Sequence, residues 1–167
     1  AGDSDYTDIL NGIRAGILNR NQLDALRGRS DAVDDPFTTR TRLLTTNADV
    51  DTINLQHLHQ IDADTHAYQM QTSGSKKYVE QLKRSCLAPE VLQLKKGASV
   101  MCIKNATDKK YVNGSLGVVE DFEDETDYPI VRLNTGKKVT IRPDTWELVD
   151  GDKKRASLSQ LPLRLAW

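Results

Sequence analysis

LKKGASVMCIKNATDKKYVNGSLGVV, residues 94–119, decides how the rest of this 167-residue chain is read. Val100 and Cys102, then Leu116 and Val118, alternate at the two-residue period of a strand. Asn113-Gly114 sits between the two runs, and both residue types tolerate the positive φ of a type I′ turn, so the stretch predicts a tight hairpin. Downstream, residues 130–133 (IVRL) and 139–141 (VTI) flank Asn134-Thr135-Gly136, a second hairpin signal of the same kind. Four short strands within about fifty residues predict a small closed or nearly closed β-barrel. A barrel that small suits binding better than buried chemistry. The chain therefore reads as α/β carrying a small β module.

Upstream the period changes from two to 3.6. Tyr6, Ile9, Leu10, Ile13 and Ile17 predict an amphipathic helix ending near Gly16, and Asn19 is the N-cap expected for a second, turning Leu23, Ala25 and Leu26 inward. Residues 28–41, with Asp34-Asp35-Pro36, read as a polar loop. In RLLTTNAD, residues 42–49, a short strand ends at Leu44 or Thr45. Thr46-x-x-Asp49 then forms a capping box opening a helix to about Ile61, with Val50, Ile53 and His57 at helical spacing. In an open α/β sheet the carboxyl end of a strand meets the next helix N-terminus at the usual ligand edge, where free amides and the helix dipole favour a phosphate. Taken alone, such a turn more often merely caps its helix.

Residues 65–71 alternate weakly as a strand, and residues 78–87 carry Val79, Leu82 and Cys86 at helical spacing. DFEDETD, residues 121–127, is a solvated hairpin tip by its charge. Lys95, Lys96, Lys104, Lys109 and Lys110 give the first half of the β module a basic bias able to track a phosphate backbone, although lysine clusters are commonly just solvated surface. After residues 150–154 the chain returns to LPLRLAW, residues 161–167, an apolar run with the look of a buried strand. A return to such a strand implies that the barrel is inserted into a larger α/β sheet.

Lys and Arg total 23 against 24 Asp and Glu, so a nucleic-acid partner would be met by a local groove and not by bulk charge. Cys86 and Cys102 read as two reduced, packed thiols, and His57, His59 and His66 lack partners at metal-ligand spacing. No apolar run approaches membrane-spanning length, and no signal peptide opens the chain. The start at Ala1 and the end at Trp167 look like the limits of an excised segment.

Taken together, these segments resemble the second motor domain of a DNA helicase of the Pif and RecD-like group within superfamily 1. DYTDILNGIRAGILNRNQLDALRGR looks like the paired helices after the third helicase motif, and LLTTNADVDTIN like the fourth motif. LAPEVLQLKKGASVMCIKN with YVNGSLGVVED is similar to the inserted barrel of Src-homology-3 type, and PLRLAW to the strand leading into the fifth motif. The resemblance implies a partial RecA-like domain over residues 1–91 and 156–167, with the small β-barrel inserted at residues 92–150. It implies a parent that is an ATP-dependent helicase moving 5′ to 3′ on single-stranded DNA, cytoplasmic, in a DNA repair or recombination setting. The partners implied are single-stranded DNA and the remaining helicase domains, with no membrane. Nucleic-acid contacts are assigned on this basis to Thr45, Thr46 and Asn47 in the fourth motif, and to Lys104, Asn105 and Asn113 in the barrel.

The chain has no G-x-x-x-x-G-K-[ST] phosphate loop, no acidic metal-binding pair at a strand end and no motif carrying the arginine that reaches a γ-phosphate. No cofactor is therefore expected in this segment, ATP and Mg²⁺ belonging to the parent, and the segment alone is expected to hydrolyse nothing. Two other readings stand beside this one. The barrel also looks like the small barrels of ribosomal and elongation proteins, making the chain a non-enzymatic RNA- or protein-binding module. It would alternatively recruit a protein partner to a motor.

Overall fold

The computed structural model describes residues 2–30 and 47–167, which form two compact units, Ala1–Thr39 and Arg40–Trp167. The first unit holds α1 (Gly2–Ala15) and α2 (Arg20–Ser30). α1 ends in a Schellman motif, with Ile17 N–H donating to Gly12 O at 2.9 Å and Gly16 N–H to Ile13 O at 3.1 Å. Asn19 caps α2 as expected: its Oδ1 accepts from Gln22 N–H at 2.9 Å while Gln22 Oε1 accepts from Asn19 N–H at 3.0 Å. Leu23, Ala25 and Leu26, expected to face inward, are exposed within this unit.

Among the described residues of the second unit, α3 (Asn47–Gln60) and α4 (Lys76–Ser85) accompany ten strands. These are β1 (His66–Gln69), β2 (Gln71–Gly74), β3 (Val91–Leu94), β4 (Ser99–Cys102), β5 (Leu116–Phe122), β6 (Pro129–Leu133), β7 (Lys138–Thr140), β8 (Asp144–Asp150), β9 (Lys153–Gln160) and β10 (Leu163–Leu165). They form a five-stranded sheet ordered β10-β4-β5-β6-β7, a three-stranded sheet β2-β9-β8 and a β1-β3 pair, all antiparallel. The fold is thus mixed α/β with several antiparallel sheets. The five-stranded sheet is open, with β10 and β7 at its edges, and the described residues contain no closed barrel.

The open sheet has a physical origin in its pairing. Strand β10 pairs with β4, Leu163 opposite Cys102 and Leu165 opposite Val100. Strand β9 meanwhile pairs with β2 on one side and β8 on the other, and neither β8 nor β9 joins β7. One core gathers Leu58, Leu92, Leu94, Val119, Val131, Ile141 and Leu163 under the five-stranded sheet, and a second gathers Val79, Leu82, Ile103 and Leu158 between α4 and the three-stranded sheet. Buried Gln160 ties the sheets together: Nε2 donates to Tyr68 O at 2.9 Å and Pro89 O at 3.1 Å, and Oε1 accepts from Leu161 N–H at 2.9 Å. Trp146 packs against the second core and Trp167 against the first.

Two local expectations are corrected. Val100 and Cys102 are buried as their alternation requires, but β5 turns Gly117 and Val119 inward and leaves Leu116 and Val118 half-buried. β6 crosses so closely at Gly117 that a Cβ there would lie 2.7 Å from Arg132 O and from Val131 Cγ1, so the missing side chain selects the inner face. Asn113-Gly114 is not a type I′ hairpin turn either. Ser115 N–H bonds Val112 O at 3.0 Å around Gly114 at φ 87°, Asn113 is not in the positive-φ region, and thirteen residues separate β4 from β5, which is the pattern of a type II turn at the end of a longer lobe. The second hairpin forms where expected, with Gly136 N–H bonding Leu133 O at 2.8 Å between β6 and β7.

Candidate nucleic-acid interface

The residues expected to contact a nucleic-acid backbone fall into two groups. Thr45 and Thr46 lie outside the described residues. Asn47 opens α3, so the helix starts where the capping pattern places it, and Asp49 lies in its first turn. The dipole of a 14-residue helix favours an anion there, while the Asp49 carboxylate opposes one.

The second group sits in the lobe between β4 and β5. Asn105 and Asn113 are brought together: Asn113 N–H donates to Asn105 Oδ1 at 2.8 Å, fixing the Gly114 turn. The lobe is further pinned by Gly114 N–H to Cys102 O at 2.8 Å, Val112 N–H to Ser115 Oγ at 3.0 Å and Ala106 N–H to Tyr111 O at 3.0 Å. Lys104 is drawn away to the start of β8. Its ammonium donates to Asp144 Oδ1 at 2.8 Å and Thr145 O at 2.7 Å and lies 4.9 Å from the centre of the Trp146 ring. Those bonds occupy two of its three donors, so Lys104 holds the lobe against the three-stranded sheet.

The remaining lysines divide into paired and open groups. Lys95 caps the end of α3, donating to Ile61 O at 2.8 Å. Lys96 lies 3.5 Å from Asp121, and Lys110 lies 2.7 Å from Asp108. The hydrogen bond from Lys110 holds the Asp108 carboxyl below its usual range, with nearby Lys137 adding to the effect. Lys109, in the left-handed region at φ 57°, has no ion-pair partner among the described residues. The lobe tip therefore presents Lys109 and Lys110 beside one acid, with Lys137 of the β6–β7 turn acting on the same carboxyl. A shallow cleft of about 330 Å³ beside it is lined by Thr107, Lys110, Tyr111, Thr140 and Arg142.

Tyr111 is half-buried against the main core, and burial pushes its phenol up to about 12, which marks a packed ring and not an open stacking platform. Cys86 and Cys102 are free thiols, and burial pushes Cys102 up to about 11. His66 is taken up by Asp127, Nδ1 to Oδ1 at 2.6 Å, and stacks on Phe122 at 3.5 Å between ring centres. Tyr68 O–H donates to the carbonyl of the same Asp127. The acidic hairpin tip is thus anchored to β1.

Sequence reasoning missed the face of α3 that grips β10. Asn54, 3% exposed, uses both ends of its amide on the backbone there, and only its polarity among apolar positions on the inner face of the helix hinted at it. An open groove of about 430 Å³ beside it is lined by Asn54, Leu55, Arg84, Leu87, Val91 and Arg164.

Comparison with known proteins follows the same outline. Residues 77–122 match the family described as DNA helicase Pif1, 2B domain. The ATP-dependent DNA helicase PIF1 of Xenopus laevis is 33% identical over 168 aligned residues, covering 99% of this chain and 26% of that protein. The unliganded Pif1 of Bacteroides sp superposes with a TM-score of 0.75 at 26% identity, over 98% of this chain and 39% of that one. Bacteroides Pif1 bound to single-stranded DNA gives a TM-score of 0.64 at 26% identity, over 98% of this chain and 38% of that one. The chain spans about a quarter of the length of the curated relatives that it matches.

Proposed function

We propose that this chain is a segment of a Pif1-like helicase and contributes single-stranded DNA backbone binding and part of the second motor domain to an ATP-dependent helicase moving 5′ to 3′. The alignment along 99% of the chain carries this reading, because it spans both helical units and the β module in one order. In this reading residues 1–91 and 156–167 belong to a RecA-like domain, and residues 92–150 to a small Src-homology-3-like insertion. The helicase relatives support a nuclear or cytoplasmic setting, and among the described residues no helix is long and apolar enough to cross a membrane.

The turn at Thr45, Thr46 and Asn47 is assigned the primary phosphate contacts, through hydroxyl, side-chain amide and backbone N–H groups. The Asn105–Asn113 pair holds the lobe in shape, and the lysines at its tip supply charge that follows a backbone without reading bases. Lys104 acts here as a brace for the lobe. ATP and Mg²⁺ are assigned to other parts of the parent: the residues of this chain offer no phosphate loop to hold them.

Binding of a fluorescent oligothymidine to the parent helicase, read by anisotropy, tests the assignment. Thr46→Ala is expected to weaken binding about tenfold or more, comparable to losing one hydrogen bond to a charged group, and affinity is expected to fall steeply with added salt for every sequence. A defined RNA bound far more tightly than DNA of any sequence would overturn the helicase assignment and leave an RNA-binding module.

A further inference from the structure

Strand β10 presents two edges. One pairs with β4, and Ala166 N–H continues that ladder to Ser99 O at 3.0 Å. In an extended chain successive backbone groups point to opposite sides, so Leu165 O and Trp167 N–H face away from β4. Both are met by one side chain of α3: Asn54 Nδ2 donates to Leu165 O at 2.8 Å, and Asn54 Oδ1 accepts from Trp167 N–H at 3.1 Å. The amide stands in for a neighbouring strand.

Asn54 has flanking support at helical spacing. One turn before it, Asp51 Oδ1 accepts from Arg164 Nη2 at 2.6 Å, and one turn after it His57 stacks on Trp167 with ring centres 5.5 Å apart. Three chemically different contacts therefore fall on one face of α3 at i, i+3 and i+6, all onto residues 164–167. Buried Leu58 would hold the helix against the core in many positions, because apolar packing has little direction. The two Asn54 bonds fix one register: a slide of β10 by one residue, about 3.3 Å, breaks both.

We propose that the Asp51–Asn54–His57 face of α3 is a coupling clamp, through which single-stranded DNA held at the start of α3 is felt at strand β10. It rests on the DNA assignment above. Asn54 lies seven residues from Asn47, about 10 Å along the helix, and a helix that short moves as a rigid rod. A shift at its first turn is transmitted to β10 in register. Asn54 is a positioning residue in this scheme and touches no DNA.

The test is amide hydrogen exchange of residues 163–167 in the parent helicase, with and without oligothymidine, beside the Kd for the same probe. In the wild type, DNA is expected to slow exchange there about tenfold, within the range usual for coupled sites. Asn54→Asp keeps the acceptor for Trp167 N–H but sets a carboxylate oxygen against Leu165 O. It is expected to cut the DNA-induced slowing to less than about twofold while the Kd stays within about twofold. An unchanged slowing in Asn54→Asp overturns the clamp, as does a wild type that binds DNA with no response in β10. Should Asn54→Asp fail to fold, Asp51→Arg and Arg164→Asp are made singly and together. Each single change is expected to reduce the slowing and the pair to restore it, and a pair no better than either single overturns the clamp. Absence of oligothymidine binding by the wild type overturns the DNA assignment first, and the clamp with it.

Discussion

Truncating Leu58 to alanine should release α3 from the body of its unit. Leu58 is 0% exposed and is, with Asn54, one of two buried side chains among the described residues of that helix. Its neighbours on the helix face are half-buried or exposed, so little else anchors α3 by apolar contact. The change removes three carbons, worth about 2.4 kcal/mol at about 0.8 per methylene, and the cavity left among Leu92, Leu94 and Leu163 brings the expected cost to about 3 kcal/mol. With a urea slope of about 2 kcal/mol per molar, the unfolding midpoint followed by circular dichroism should fall by about 1.5 M. Leu58→Met, which conserves volume, should lose less than about 1.5 kcal/mol. A loss for Leu58→Ala below about 1 kcal/mol would refute the reasoning, because it would mean that the helix is held by its polar contacts and not by burial.

Two further outcomes follow from buried polar and titrating groups. Gln160→Leu should cost about 2 kcal/mol in the same assay, since it strands the carbonyls of Tyr68 and Pro89 and the Leu161 N–H away from water. Burial raises the Cys102 thiol from 9.0 to about 11 and the Tyr111 phenol from 10.0 to about 12, so the folded state keeps protons that the unfolded chain gives up. Their stabilising contribution is whole below about pH 9 and lost as pH rises toward 12, and urea midpoints measured from pH 8 to 11 should decline, less steeply in Cys102→Ala.

Features carried by adjacent residues were legible in the sequence. The Asn19 cap with its reciprocal Gln22 bond, the end of α1 at Gly16, the helix from Asn47 and the Gly136 hairpin each depend on groups only a few residues apart, which is the reach of capping and turn chemistry. The face of β5 was misread because Leu116 and Val118 are more apolar than Gly117, and only the approach of β6 reveals that the inner position has no room for a side chain. The role of Lys104 was obscured in the same way, its carboxylate partner Asp144 lying 40 residues on.

By itself the sequence determined the helices, the strands that became β4 to β7 and β10, the helicase resemblance and a balance of charge that leaves nucleic-acid contact to local clusters. Only the tertiary structure decided which strands pair, and hence that the five-stranded sheet is open and takes in β10. It alone placed Asn54 on the backbone of that strand, 111 residues away in the chain. The reason is that backbone hydrogen-bonding groups are the same in every residue: local side chains select a strand or a helix, while the partner of each unpaired edge is selected by burial over the whole unit.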